Sequence, residues 1–100
     1  MRFKNIDKIK LKSIIDNKED IVLLDVRTKE EFEEGYIETA LHIELSNLVY
    51  NIDELEEYKN KKVIVYCRSG HRSITACNFL FMAGFEHLYN LEKGIIDYIV

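Results

Sequence analysis

Val63-Ile64-Val65-Tyr66-Cys67-Arg68-Ser69-Gly70-His71-Arg72-Ser73 decides the fold: an apolar strand ends in a cysteine and runs into a short polar loop with a glycine and two arginines. A helix beginning at Ser73 would close that loop, so that backbone N–H groups and a helix N-terminus converge on the sulfur. Such a cradle binds anions, and a thiolate is an anion. Together with Arg68 and Arg72, the cradle is expected to lower the thiol's pKa and keep Cys67 nucleophilic near neutral pH. A free cysteine at a strand end is often just a small buried hydrophobe. That reading leaves the arginines unexplained, because charged residues at a buried strand end bear a desolvation cost without a partner. The loop suits an anion instead. Gly70 supplies a positive φ, Ser69 and Ser73 hydrogen bonds or caps, and the arginines a grip on sulfonate, phosphate or carboxylate.

Outward from this loop the chain alternates short strands and helices. Upstream, Asp7 is placed to cap a helix over residues 8–16, and Ile21-Val22-Leu23-Leu24 is a continuous apolar run, as in a central parallel strand covered on both faces. Asp25-Val26-Arg27 leaves that strand at its C-terminal edge. Thr28-Lys29-Glu30-Glu31 matches a capping box that opens a short helix through Phe32, ended by Gly35. Leu41-His42-Ile43 is a short strand, Ser46 and Asp53 cap short helices through Tyr50 and Tyr58, and a turn at residues 59–62 leads into the strand Lys62 to Tyr66.

Downstream, Ser73 to Ala83 is apolar on nearly every face, which predicts a central helix stopped by Gly84. A strand over His87 to Leu91 and a helix over Ile95 to Val100 follow. The alternation implies a parallel α/β sheet, with ligands beyond the carboxyl ends of its strands. Both Asp25-Val26-Arg27 and the cysteine loop emerge there.

One hundred residues with 47% hydrophobic content predict one domain over residues 1–100. The net charge is −4, with acidic residues crowded between Glu30 and Glu57, which argues against a nucleic-acid partner and makes the loop a basic spot on an acidic protein. The basic N-terminal stretch (Arg2, Lys4, Lys8, Lys10, Lys12) lacks a broad apolar face and reads as a solvated helix face rather than a membrane contact. Cys67 and Cys77 have no metal-ligand spacing around them, so neither a metal site nor a disulfide scaffold is expected. With no apolar signal region or membrane-length run, a reducing cytoplasm is expected. Cys77 lies among apolar residues and reads as core; His42 and His87 have no catalytic company; His71 reads as a pocket residue and not a general base.

Taken in order, Leu24-Asp25-Val26-Arg27, Glu31-Phe32, Gly35-Tyr36-Ile37, the Val65-to-Ser73 stretch and Leu91-Glu92-Lys93-Gly94-Ile95 resemble a single-domain rhodanese over nearly the whole chain. The resemblance implies a rhodanese-like α/β fold with a five-stranded, mainly parallel sheet flanked by helices on both sides. It also implies a thiosulfate sulfurtransferase without a cofactor. Cys67 would be the catalytic nucleophile, and Arg68, Ser69, Gly70, His71, Arg72 and Ser73 would bind the substrate. Arg72 has a second possible role, turned inward to brace the loop. Asp25 and Arg27 would support the loop. The implied partners are a small anionic sulfur donor and a thiol or cyanide acceptor, which could be a protein thiol.

Three departures from the family pattern stand out. Gly35-Tyr36-Ile37-Glu38-Thr39-Ala40 replaces the usual Gly-His-Ile-Pro-Gly-Ala, which predicts a looser turn; Lys93-Gly94 replaces a glycine pair; and Tyr98 replaces a tryptophan near the end. Two other readings of the same residues are a sulfur-carrier or partner-binding module that does not use thiosulfate, and a small cysteine phosphatase. The phosphatase loop is one residue longer than the four residues between Cys67 and Arg72.

Overall fold

The computed structural model describes residues 2–99, so Val100, placed by the sequence in the last helix, lies outside the described residues. The elements run β1 (Lys4–Ile6), α1 (Lys8–Asp16), β2 (Ile21–Asp25), α2 (Lys29–Glu33), β3 (Leu41–His42), 3-10 segments at Leu45–Tyr50 and Ile52–Tyr58, β4 (Lys62–Tyr66), α3 (Arg72–Met82), β5 (Leu88–Leu91) and α4 (Gly94–Tyr98). The five strands form one sheet in the order β1-β5-β4-β2-β3, and every pairing is parallel.

Alternation along the central strands splits the core in two. Val22, Leu24 and Val26 from β2 and its exit, with Val63, Val65 and Cys67, face α3 and the 3-10 segments, where Leu48, Leu55, Ala76, Cys77 and Leu80 meet them. Leu23, Ile64 and Tyr66 face the other way, against Leu11 and Ile14 of α1 and Ile95 of α4. Helices therefore cover both faces, which is why β2 and β4 carry unbroken apolar runs.

The local signals act as their chemistry dictates. The Asp7 carboxylate accepts the Lys10 N–H at 2.8 Å and caps α1. At α2, Thr28 Oγ1 accepts the Glu31 N–H while Glu31 Oε1 accepts the Thr28 N–H, the reciprocal pair of a capping box.

Four features differ from the sequence reading. β1 carries a single apolar residue, Ile6, too little for a strand signal, and is held by pairing Lys4, Asn5 and Ile6 with Tyr89, Asn90 and Leu91 of β5. The segments expected to be capped by Ser46 and Asp53 begin at Leu45 and Ile52 as 3-10 turns without a side-chain cap, each anchored by one buried leucine, Leu48 or Leu55. Helix α3 covers a single face of the sheet, leaving Ile74, Phe81 and Met82 exposed, so its apolar content overstated its burial. The turn at residues 35–40 is not loose: Ile37 is buried, its N–H donates to Tyr66 Oη at 3.1 Å, and Thr39 is held at φ +74°.

Candidate active site

The end of β4 delivers Cys67 to the carboxyl edge of the sheet, buried to 1% exposure. The following residues fold back over the sulfur. The Gly70 N–H donates to Sγ at 3.1 Å, the Ser73 N–H at 3.4 Å, and the Ser73 hydroxyl oxygen stands 3.4 Å away. Helix α3 starts at Arg72, one residue earlier than expected, and His71 before it offers no side-chain cap. The sulfur takes the place of the capping acceptor, and the positive end of the helix then favours the thiolate. Burial pushes the Cys67 thiol up, but the Ser73 hydroxyl and the N–H groups of Ser73, Gly70 and Ser69 outweigh it, leaving the thiol below its ordinary range.

The loop keeps its shape because its back is packed against backbone. Gly70 has φ +101°, and a side chain there would overlap the Glu92 carbonyl. Gly94 at φ +70° sits equally close to the Arg68 carbonyl, while the Ile95 and Ile96 N–H groups at the start of α4 donate to the Cys67 and Arg68 carbonyls at 3.0 and 3.1 Å. The chain segment 92–96 is thus the floor of the cradle.

Arg72 does not reach outward. Both arms of its guanidinium lie on the Glu31 carboxylate, which places it in the bracing role and not on an open donor site. The donors that lower the thiol most are the hydroxyl and backbone N–H groups, and the Arg72 guanidinium adds a coulombic attraction to the Cys67 thiolate. Arg68 is exposed, and among the described residues it has no ion-pair partner. It lines a cleft of about 700 Å³ together with Arg27, Tyr36, Ile37, Ile95 and Ile99. Ser69 and His71 are exposed on the loop's outer rim, with Ser69 Oγ 3.4 Å from His71 Nδ1.

Asp25 and Arg27 form a buried ion pair at 2.7 Å, but neither side chain hydrogen-bonds or ion-pairs to the cysteine loop, so the direct support expected of them is not made. Arg27 donates instead to the carbonyls of Glu31 at 3.2 Å and Gly35 at 2.7 Å, fixing α2 and the turn after it. Support for the loop is one step removed. The ion pair sets α2, and α2 presents Glu31 to Arg72.

Three residues of this arrangement escaped the sequence reading. Glu31 was legible only as a capping-box residue; its second partner is 41 positions away. Gly94 follows Lys93 where the family pattern has two glycines, which was the available signal for a close backbone approach. Asn90, in β5, is 1% exposed, accepts the Ser73 hydroxyl proton and donates to Gly70 O at 3.4 Å and Asn5 Oδ1 at 3.0 Å. Nothing in its flanking sequence marked it. Cys77 is core, as expected, and burial pushes its thiol up to about 12.

An all-parallel five-stranded sheet with helices on both faces and a cysteine in an N–H cradle at its carboxyl edge defines a small α/β domain of the rhodanese type. The family model for the rhodanese-like domain matches residues 8–99, and the chain belongs to that family. It is 36% identical over 91 residues to a sulfurtransferase of Allochromatium vinosum, spanning 91% of this chain and 83% of that protein. It is 37% identical over 98 residues to a tRNA uridine(34) hydroxylase of Cytophaga hutchinsonii, of whose length it spans 31%. The crystal structure of a rhodanese-like domain protein from Staphylococcus aureus matches with a TM-score of 0.88 at 28% identity, over 96% of this chain and 91% of that one. Among the described residues no helix is long and apolar enough to cross a membrane.

Proposed function

We propose that this rhodanese-family domain transfers a sulfane sulfur through a persulfide on Cys67, with thiosulfate or a persulfide as donor and a thiol or cyanide as acceptor. The observation that carries this reading is the pair of N–H bonds from Gly70 and Ser73 to Cys67 Sγ. The Cys67 thiolate attacks the outer sulfur of thiosulfate. A new S–S bond forms, the bond to the sulfonate sulfur breaks, and sulfite leaves with its electron pair. The cradle then holds the persulfide anion with the donors that held the thiolate. An acceptor thiolate attacks the outer sulfur, forming its own persulfide and returning Cys67 as thiolate. Arg68, exposed and without an ion-pair partner among the described residues, meets the sulfonate.

The negative net charge supports small thiols, or a thiol on a partner protein, as acceptors in a reducing cytoplasm, rather than nucleic acid or a membrane surface. A sulfur carrier loaded by a partner enzyme uses the same residues. Intact-protein mass spectrometry separates the readings. A gain of one sulfur atom on incubation with thiosulfate supports the donor reaction, and a gain only from a persulfide donor supports the carrier. No gain from either, with turnover of an aryl phosphate that depends on Cys67, overturns both in favour of a phosphatase.

A further inference from the structure

Ser73 has one hydroxyl proton and two neighbours that want it. On one side its oxygen lies 3.4 Å from Cys67 Sγ; on the other, the hydroxyl donates to Asn90 Oδ1 in a very short hydrogen bond. The orientation of the Asn90 amide is fixed by its other end, because Nδ2 faces the Gly70 carbonyl at 3.4 Å, an oxygen that can only accept, and Asn5 Oδ1 at 3.0 Å. Asn90 Oδ1 therefore has to accept. While Cys67 is a thiol the arrangement closes: S–H donates to Ser73 Oγ, and Ser73 O–H donates to Asn90 Oδ1. No buried side-chain polar atom among the described residues lacks a partner. Once Cys67 ionises, the Ser73 hydroxyl can serve the thiolate only by turning away from Asn90, which leaves a buried amide oxygen without its donor.

We propose that Asn90 is a positioning residue for the sulfur chemistry: by holding the Ser73 hydroxyl proton it opposes ionisation of Cys67, and releasing that proton accompanies each return to the thiolate. This rests on Cys67 being the reactive sulfur, as argued above, and extends that reading to β5 and, through Asn5, to the edge strand β1. The other titratable or charged groups around the sulfur are Arg68 and His71 in the loop, Arg72 and Cys77 from α3, Glu31 from α2, the Asp25–Arg27 pair at the end of β2, and Glu92 and Lys93 in the segment under the cradle. The variants below leave all of them in place.

The test is the pH dependence of Cys67 alkylation by iodoacetamide, which needs no sulfur donor and so stands whether or not thiosulfate is the substrate. It is measured in Ser73→Ala, Asn90→Ala and the double variant. Removing the competitor in Asn90→Ala should lower the midpoint by about one pH unit, and Ser73→Ala should raise it by about as much. In the double variant Asn90→Ala should add nothing to Ser73→Ala. A midpoint that rises or stays put in folded Asn90→Ala overturns the proposal, as does a full downward shift that persists without Ser73. Should Asn90→Ala fail to fold, Asn90→Asp keeps the shape and carries the test. Its carboxylate should hold the proton harder and raise the midpoint by more than its charge alone does in the Ser73→Ala background, and an unmoved midpoint, or an equal rise with and without Ser73, overturns the proposal. Sulfur loading measured on the same variants fails independently if only the proposed reaction is wrong.

Discussion

Arg72, the last residue of the cysteine loop, closes both arms of its guanidinium on the Glu31 carboxylate of α2, at 2.7 and 2.9 Å. The pair ties the loop to a helix that is itself fixed by the buried Asp25–Arg27 bridge, so a surface-facing ion pair becomes part of the scaffold of the cysteine loop.

Acid should reveal this pair. The Arg72 guanidinium, helped by Thr28, holds the Glu31 carboxyl at about 2, below its ordinary 4.5. Because the folded value is depressed, the stabilisation is complete above about pH 4.5 and drains away as pH falls toward 2. Both side chains are partly exposed, so the loss should be about 1 to 2 kcal/mol after screening. Urea unfolding at pH 7 and pH 3 should show Glu31→Gln less stable at pH 7 and less sensitive to acid. Equal acid sensitivity in both proteins would refute the assignment.

The two cysteines should behave as opposites. Cys67→Ser should abolish sulfur loading by mass spectrometry while the thermal midpoint stays near wild type, since the hydroxyl can take up the same N–H bonds. Cys77→Ser should keep loading intact and cost stability, because it places a hydroxyl in the core beneath α3. Loading in Cys67→Ser would end the persulfide mechanism.

Arg68→Ala should raise KM for thiosulfate about ten- to a hundred-fold with a smaller change in kcat, the loss of one charge-assisted contact to a sulfonate. Arg72→Ala should lower both kcat and thermal stability, because that guanidinium braces the loop. Steady-state kinetics that move only KM in Arg72→Ala would show that it binds substrate after all.

Thr39 occupies the left-handed region at φ +74°, a costly place for a β-branched residue, where the family pattern carries glycine. Thr39→Gly relieves that strain and gives back part of the gain as unfolded-state entropy. A net stabilisation of up to about 1 kcal/mol is expected by urea unfolding. A loss of stability would show that the Thr39 side chain makes up for its backbone.

The sequence by itself determined the elements whose signals are local. The cap at Asp7, the capping box from Thr28 to Glu31, the apolar runs of β2 and β4 and the Gly84 stop all depend on neighbours a few residues apart, so pattern alone places them. The cysteine loop belongs with them, because strand, glycine and helix start lie within one stretch. Only the tertiary structure decided the rest. β1 has a mostly polar sequence and exists because β5 offers it an edge; α3 is apolar on nearly every face, yet only the fold says which face meets the sheet. The Arg72–Glu31 brace joins residues 41 apart, the Ser73–Asn90 bond 17, and the Asn90–Asn5 bond 85. A side chain's own sequence neighbourhood carries no record of such partners, because what brings them together is the burial of two apolar sheet faces, and that is a property of the whole chain.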